Sequence, residues 1–72
     1  MEDRKITNKD LAFGRKLQRA RKKGGLTQEQ LADAIRLSTT FIGLIETGRR
    51  KPSLKTLQKI ASSLKINIRE LF

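Results

Sequence analysis

The segment LTQEQLADAIRLSTTFIGLIETG, residues 26–48, decides the fold because it contains two short helical patterns with a tight connection between them. Thr27 is a preferred capping residue, and Gln30 three positions later completes the pattern of a capping box, so the first helix begins here. Ser38 opens the second helix as another capping residue, and Gly48 is typical of a helix C-terminus. The segment therefore predicts a helix, a short turn and a second helix.

The apolar residues of this segment recur at the spacing of helices with one buried face. The residues that the pattern places inward are Leu31, Ala32, Ile35, Leu37, Ile42 and Ile45. Two short helices joined in this way form the supersecondary unit that can place its second helix in the major groove of DNA. Any small helical bundle alternates similarly, so the spacing alone also allows a bundle without that role.

A longer helix is predicted before this segment. Thr7 with Asp10 three residues later resembles a capping box, so this helix begins near Asn8. The glycine pair at positions 24 and 25 is a strong stop. Residues 1–7 are then predicted to form a flexible N-terminal arm.

Two further helical elements are predicted after the segment. Ser53 after Pro52 caps a helix with a continuous apolar stripe, and Asn67 with Glu70 three residues later starts a final turn or two. The stripe consists of Leu54, Leu57, Ile60, Ala61 and Leu64. The sequence thus predicts five helices and no strand, in a single all-α domain over residues 1–72.

The charge of the chain points to a polyanionic partner. Seventeen lysines and arginines stand against seven acidic residues among 72, which gives a formal net charge of +10. The basic residues cluster in GRKLQRARKK at 14–23 and in GRRK at 48–51. Nucleic acid and an anionic membrane surface both fit this charge. Arg15, Arg19 and Lys22 recur at helical spacing and fit a solvated outer face, so the second cluster is the better candidate for a binding site.

The composition excludes several classes of protein. The chain contains no cysteine and no histidine. Thiol catalysis, histidine acid–base chemistry and the usual zinc ligand sets are therefore absent, and we expect no enzyme, no metal and no cofactor. No apolar run approaches the roughly 18 residues that span a bilayer, so we expect no membrane partner and a cytoplasmic, nucleoid-associated location.

Three stretches resemble the Cro and phage-repressor type of helix-turn-helix family, also called the xenobiotic-response-element family. They are FGRKLQRARKKGGLTQEQLA (13–32), LSTTFIGLIETGRRKPSLKTLQKIASSL (37–64) and IRELF (68–72). They resemble the family's first helix with its Thr-Gln entry to the second, its Ile-Glu-x-Gly-Arg exit from the third, and its closing helices. The resemblance implies a five-helix, lambda-repressor-like DNA-binding domain with the helix-turn-helix at about 27–47.

The resemblance implies roles for residues around the third helix, which begins at Ser38. Gln28 would present its side-chain amide and neighbouring backbone N–H groups to a DNA phosphate, although simple helix-start chemistry also explains this residue. Arg21 and Glu46 would form a partly buried ion pair that fixes the angle of the third helix.

The turn after the third helix is the second predicted phosphate site. The backbone N–H groups of a tight glycine turn and several cations make a site suited to phosphate, and a solvated charge run is the alternative. The predicted phosphate contacts here are Thr47, Arg49, Arg50 and Lys51.

The outward face of the third helix carries the candidate base contacts, which are Thr39, Thr40, Gly43 and Leu44. The family commonly has longer polar side chains at the matching positions, so bidentate recognition of guanine or adenine is not expected. Threonine hydroxyls and methyls, with an apolar contact from Leu44, predict a thin and thymine-leaning readout that DNA shape supplements.

Arg36 is a second departure from the family, which usually has glycine at this turn position. An arginine that must adopt positive φ costs roughly 1 kcal/mol of strain. A charge placed near the phosphates and an altered turn geometry both remain open interpretations.

These features predict a sequence-specific regulator of transcription, most simply a repressor of bacterial or phage type, that binds double-stranded DNA. So few base contacts favour a homodimer on two half-sites, with Ile68, Leu71 and Phe72 at the contact and Leu11 as an addition. Three alternatives remain open: an antitoxin with a protein partner, a restriction-modification controller, and non-specific nucleic-acid binding by charge.

Overall fold

The computed structural model describes residues 5–72, so the first four residues of the predicted arm lie outside the described chain. The described part contains four α-helices, a short 3₁₀ helix and no strand, as the all-α prediction requires. The helices are α1 (Asn8–Lys23), α2 (Gln28–Ala34), α3 (Thr39–Glu46) and α4 (Leu54–Leu64), followed by the 3₁₀ helix Ile68–Leu71.

The fifth predicted helix is therefore corrected to a single 3₁₀ turn. The capping box of Asn67 and Glu70 forms as predicted. The Glu70 N–H, however, donates to the Asn67 carbonyl at 2.9 Å, and the Phe72 N–H donates to the Arg69 carbonyl at 3.2 Å. These bonds span three residues instead of four, so the segment closes as a tighter turn.

Side-chain hydroxyls begin all four α-helices at the predicted positions. Each hydroxyl accepts a hydrogen bond from the backbone N–H three residues later, at 3.0–3.1 Å, which satisfies a donor that the helix itself leaves unpaired. The capping residues are Thr7, Thr27, Ser38 and Ser53. The structure thus places Thr7 at the start of α1, although it belonged to the predicted arm.

One hydrophobic core lies between the helices and includes most of the predicted apolar positions. Its fully buried large side chains are Leu17, Leu31, Ile42, Ile45, Ile60 and Leu71. Phe13, Ala20 and Phe41 are partly buried and pack against this core. The inward residues of α3 therefore anchor this helix in the core, and its opposite face lies at the protein surface.

Two leucines that the apolar pattern placed inward are exposed instead. Leu37 is 37% exposed because it lies between the left-handed turn residue Arg36 and the Ser38 cap, outside either helix. Leu54 is 64% exposed because it is the first residue of α4, one turn before the first buried position, Leu57.

The C-terminal residues pack onto α1, which corrects part of the predicted dimer contact. Leu71 is fully buried in the core and is not available to a second copy. Phe72 remains 66% exposed, although its ring lies 5.9 Å from that of Phe13 and its carbonyl accepts a hydrogen bond from Lys16 Nζ. Ile68 is half-buried.

The described residues 5–72 contain no helix that is long and apolar enough to cross a membrane. The same residues contain no group of three or more acidic side chains placed to hold a metal ion.

Candidate nucleic-acid interface

A buried carboxylate joins three helices at the C-terminal end of α3. Arg21 of α1 donates from Nε to Glu46 Oε2 at 2.6 Å and from Nη2 to Oε1 at 3.1 Å. Gln28 of α2 donates from Nε2 to the same Oε1 at 3.0 Å. The Arg21 and Glu46 side chains are 8% and 2% exposed, so the pair is shielded from water. Glu46 thereby fixes the position of α3 relative to both neighbouring helices.

The remaining donor edge of the Arg21 guanidinium is also used. Its Nη1 donates to the Leu26 carbonyl at 2.8 Å, in the connection between α1 and α2. Throughout residues 5–72, no buried side-chain nitrogen or oxygen lacks a hydrogen-bond partner. A buried ion pair is favourable only when such additional bonds satisfy both partners, and this condition is met here.

Gly14 allows α1 to approach the backbone of α3 next to the same carboxylate. A Cβ built on Gly14 would lie 2.3 Å from the Glu46 carbonyl oxygen and 2.8 Å from that of Ile45, far inside contact distance. Sequence reasoning missed this residue. The available signal was a glycine inside an otherwise regular helical pattern, because it costs about 1 kcal/mol of helix stability relative to alanine and so indicates a packing reason.

The predicted phosphate donor Gln28 is partly committed within the protein. Besides its bond to Glu46, its amide lies across α3, 3.9 Å from the position that a Cβ on Gly43 would occupy. A methyl group at residue 43 would therefore meet the Gln28 amide at an ordinary contact distance. In the first turn of α2 the Gln30 N–H donates to the Thr27 hydroxyl, so only the N–H groups of Gln28 and Glu29 lack an acceptor inside the helix and remain suited to an anion.

The predicted base contacts lie on the side of α3 away from the core. Thr39 and Thr40 are exposed in its first turn, and Gly43 and Leu44 are half-buried in its second. Thr47, predicted at a phosphate, uses its hydroxyl to donate to the Gly43 carbonyl at 2.9 Å, with a longer contact of 3.3 Å to that of Leu44. The outer surface of α3 thus offers two free threonine hydroxyls and an apolar side chain.

A tight turn connects α3 to the basic loop. Gly48 has φ +78°, a left-handed conformation that glycine adopts without steric cost. The N–H of Arg49 donates to the Leu44 carbonyl at 2.9 Å and that of Gly48 to the Ile45 carbonyl at 3.1 Å. The side chains of Arg49, Arg50 and Lys51 then emerge exposed.

The start of α1 supports this turn from behind. Gly48 is buried, and a Cβ built there would lie 3.1 Å from Ile6 Cγ2 and 3.3 Å from Leu11 Cδ2. Leu11, proposed from sequence as an additional dimer contact, therefore packs beneath the glycine turn. The basic loop begins from a supported position.

Arg50 folds back along α3 and contacts Phe41. Its Cζ lies 5.5 Å from the centroid of the Phe41 ring, within the range of a cation–π interaction. Phe41 itself is half-buried at the edge of the core. No local pattern relates these two residues, because a helix, a glycine turn and part of a loop separate them.

Arg36 adopts the left-handed conformation that the family's glycine would provide. Its φ is +59°, and its side chain is exposed. Hydrogen bonds from the Arg36 N–H to the Asp33 carbonyl at 3.2 Å and from the Leu37 N–H to the Ala32 carbonyl at 2.9 Å close the turn. The turn geometry is thus that of a left-handed helix end in spite of the arginine.

Known proteins with similar sequences point to one family. A helix-turn-helix family profile, HTH_3, matches residues 17–71. The control protein C.MunI of a Mycoplasma species is 44% identical over 63 residues, which cover 86% of this chain and 85% of that protein. The immunity repressor of Bacillus phage phi105 is 38% identical over 58 residues, or 81% of this chain but 40% of the repressor.

A solved structure agrees with the fold. The restriction-modification controller protein C.AhdI from Aeromonas hydrophila superposes with a TM-score of 0.83 at 40% identity, over 86% of this chain and 94% of the controller. The chain thus matches nearly the whole of two control proteins, and less than half of the phage repressor.

Proposed function

The chain belongs to the helix-turn-helix family of Cro/C1 type, and on that premise we propose that it regulates transcription by binding specific sequences of double-stranded DNA. One observation carries the proposal. The inward face of α3 is fixed by the core and by the Arg21–Glu46 pair, while its outer face and the basic loop beside it are left open. A rigid helix with an uncommitted outer surface is what readout of a DNA groove requires.

Phosphate contacts supply most of the affinity in this proposal. The exposed side chains of Arg49, Arg50 and Lys51 extend from the supported glycine turn, and each phosphate that they neutralise releases condensed counterions. At the other end of the helix-turn-helix, the backbone N–H groups at the start of α2 bind a phosphate, and Gln28 contributes the part of its amide that Glu46 leaves free. Thr47 is not assigned a phosphate contact, because both its hydroxyl and its backbone N–H already donate to the Gly43 carbonyl.

Base readout comes from the outer surface of α3. Thr39 and Thr40 can each donate to or accept from a base edge or pack a methyl group on thymine, and Leu44 adds an apolar contact. Gly43 lets the helix backbone come closer to the groove floor. Such contacts carry little discrimination, so DNA shape contributes the rest.

A homodimer on two half-sites follows from this limited readout, because one copy makes too few base contacts for tight specific binding. The exposed Phe72 ring and the half-buried Ile68 are the proposed contact. Two copies related by a two-fold axis would then require an inverted repeat with half-site centres about one DNA turn apart.

We favour a controller of restriction-modification type over a phage immunity repressor. The two control proteins are 44% and 40% identical to this chain, and the phage repressor is 38% identical. An antitoxin that binds a protein partner is the second candidate of the same fold, and co-purification of an acidic partner from the native host would favour it. No catalytic step forms part of either proposal.

Selection of bound duplexes from a random pool, repeated at two salt concentrations, tests the function. An enriched inverted repeat supports specific recognition by a dimer, and an enriched single half-site supports specific recognition by a monomer. Equal recovery of all sequences, with one common salt slope, would reduce the activity to binding by charge and contradict the proposal.

Substitution of Thr40 by alanine tests the assignment of the reading surface. We expect the preferred base to change at one position of each half-site, with unchanged melting temperature, because this side chain is exposed. Selection with Thr56→Ala, which alters a threonine in the first turn of α4, is the control. A uniform loss of affinity at every position would remove Thr40 from the base contacts.

A further inference from the structure

We propose that Phe41 is a positioning residue for DNA binding, because its ring holds the guanidinium of Arg50 where that group meets a phosphate. The inference rests on the proposed function, since it assumes a DNA partner. It assigns a task to a side chain that has no hydrogen-bonding group and does not belong to the predicted base contacts.

The ring is a fixed platform. Phe41 lies in the first turn of α3, where its N–H donates to the Ser38 hydroxyl at 3.0 Å. Its side chain is half-buried and packs against the core. Aromatic side chains have only two rotatable bonds, so a ring packed on one side has little remaining freedom. The exposed part of the ring is then available to a cation.

Arg50 comes to this platform from a supported turn. It is two residues beyond Gly48, whose backbone packs against Ile6 and Leu11. The guanidinium lies 5.5 Å from the ring centroid, and no hydrogen bond or ion pair engages it among residues 5–72. Within those residues, neither Arg49 nor Lys51 has a comparable ring contact, so Arg50 alone of the three loop cations is held in this way.

Contact with a ring leaves the chemistry of the guanidinium intact. All five N–H donors lie in the guanidinium plane, and the positive charge is attracted to the ring face without using any of them. A carboxylate partner would take two donors and neutralise the charge, whereas a phenyl ring takes none. The held group therefore keeps its donor fork for a phosphate, which it can bind in bidentate fashion.

Holding Arg50 against Phe41 in the free protein should strengthen binding, because less side-chain freedom is then lost when the complex forms. Immobilising a flexible side chain at an interface costs about 0.5–1.5 kcal/mol, equivalent to roughly two- to tenfold in affinity. Part of this cost is already met in the free protein when Arg50 rests on Phe41. We expect Phe41→Leu to weaken duplex binding by up to that factor, and Phe41→Trp, which keeps an aromatic face, to retain it.

A double-mutant cycle provides the test. Dissociation constants for one labelled duplex are measured by fluorescence anisotropy at low salt for the original chain, Phe41→Leu, Arg50→Ala and the double variant. We expect Phe41→Leu to have no further effect once Arg50 is alanine. Phe41→Trp in the original background should bind like the original chain. Thermal denaturation of each variant keeps the measurements within the folded range.

Some outcomes contradict only the role of Phe41, and others also contradict the proposed binding to DNA. Equal weakening by Phe41→Leu in both backgrounds would show that the ring acts only on the placement of α3 and would overturn the inference. Undiminished binding by Phe41→Leu would overturn it as well. A phosphate contact needs no particular base sequence, so the cycle can be measured on any duplex. If selection enriches no sequence but the cycle gives the expected result, the proposal of specific recognition fails and the role of Phe41 stands. An original chain that binds no duplex at low salt overturns both.

Discussion

Two arginines contact the same helix at opposite ends, in opposite ways. Arg21 is buried, and three of its guanidinium nitrogens donate to Glu46 and to the Leu26 carbonyl. Arg50 is exposed and rests by its face against Phe41. The first guanidinium has its donors used within the protein, while the second keeps them available.

The difference shows how one type of side chain serves stability in one place and binding in another. A charge that is shielded from water requires an oppositely charged, hydrogen-bonded partner, so removing either member of the pair destabilises the folded state. An exposed charge contributes little to the free energy of folding, but it raises DNA affinity when it contacts a phosphate. Variants at the two ends of α3 should therefore separate into one group that alters the free energy of unfolding and another that alters DNA affinity.

The largest effect is expected from Glu46→Ala, which leaves the buried Arg21 charge without its partner. We expect the free energy of unfolding to fall by about 3 to 5 kcal/mol, because both side chains are nearly inaccessible to water. Thermal denaturation followed by circular dichroism measures this loss. Glu29→Ala, at an exposed acid in the first turn of α2, is the control. A melting temperature equal to that of the control would remove the pair from the account of stability.

Gly14→Ala is expected to destabilise the fold at the same end of α3 through a steric clash between α1 and α3. The new methyl group would lie 2.3 Å from the Glu46 carbonyl oxygen, so α1 must move away from α3. We expect a loss of about 1 to 3 kcal/mol in denaturant unfolding, despite alanine's higher helix propensity. Ala substitution of Gly24, whose nearest contact would be 3.4 Å, gives a matched comparison. Stabilisation by Gly14→Ala would contradict the close approach of the two helices.

Arg50→Ala is expected to affect binding and leave folding unchanged. Loss of one charge-assisted phosphate contact should weaken binding to all duplexes by about tenfold and reduce the salt slope by about 0.9. Titrations at several salt concentrations measure both quantities. Arg19→Ala removes an equal charge from the outer face of α1 and should alter the slope much less. Identical slopes for the two variants would assign Arg50 to general steering only.

The smallest effect is expected at Arg36, an arginine that neither an acid nor a ring holds among residues 5–72. Arg36→Gly relieves the left-handed backbone and should raise the free energy of unfolding by up to about 1 kcal/mol. Lys65→Gly relieves the same conformation at the end of α4 and should give a similar gain. If Arg36→Gly weakens duplex binding and Lys65→Gly does not, the arginine also contacts phosphate.

The local features of the fold could be predicted from the sequence. Capping residues and glycine stops bond to atoms within a few positions of themselves, so Thr27, Ser38 and Gly48 indicated the helix ends directly. Periodicity identified Ile42 and Ile45 as buried for the same reason. It placed Leu37 and Leu54 wrongly, because a stripe extended past the end of a helix no longer predicts a direction.

The contacts between distant elements could not be predicted from spacing. Gly14 and Glu46 meet only because α1 crosses α3 there, and the packing of α2 on α3 gives the Gln28 amide a protein partner. The burial of Leu71 likewise depends on a 3₁₀ turn that directs it back to the core. The family resemblance supplied the Arg21–Glu46 pair, which no composition or periodicity would have indicated.

The open outer surface of α3 has a consequence for the history of such a protein. Thr39 and Thr40 are exposed, and a methyl group on Gly43 would meet only the Gln28 amide at an ordinary contact distance of 3.9 Å. Longer side chains can replace Thr39 and Thr40, and alanine can replace Gly43, without disturbing the buried Arg21–Glu46 pair. A lineage can therefore transfer this domain to a new operator by single substitutions, while selection for a stable fold acts on a different set of residues.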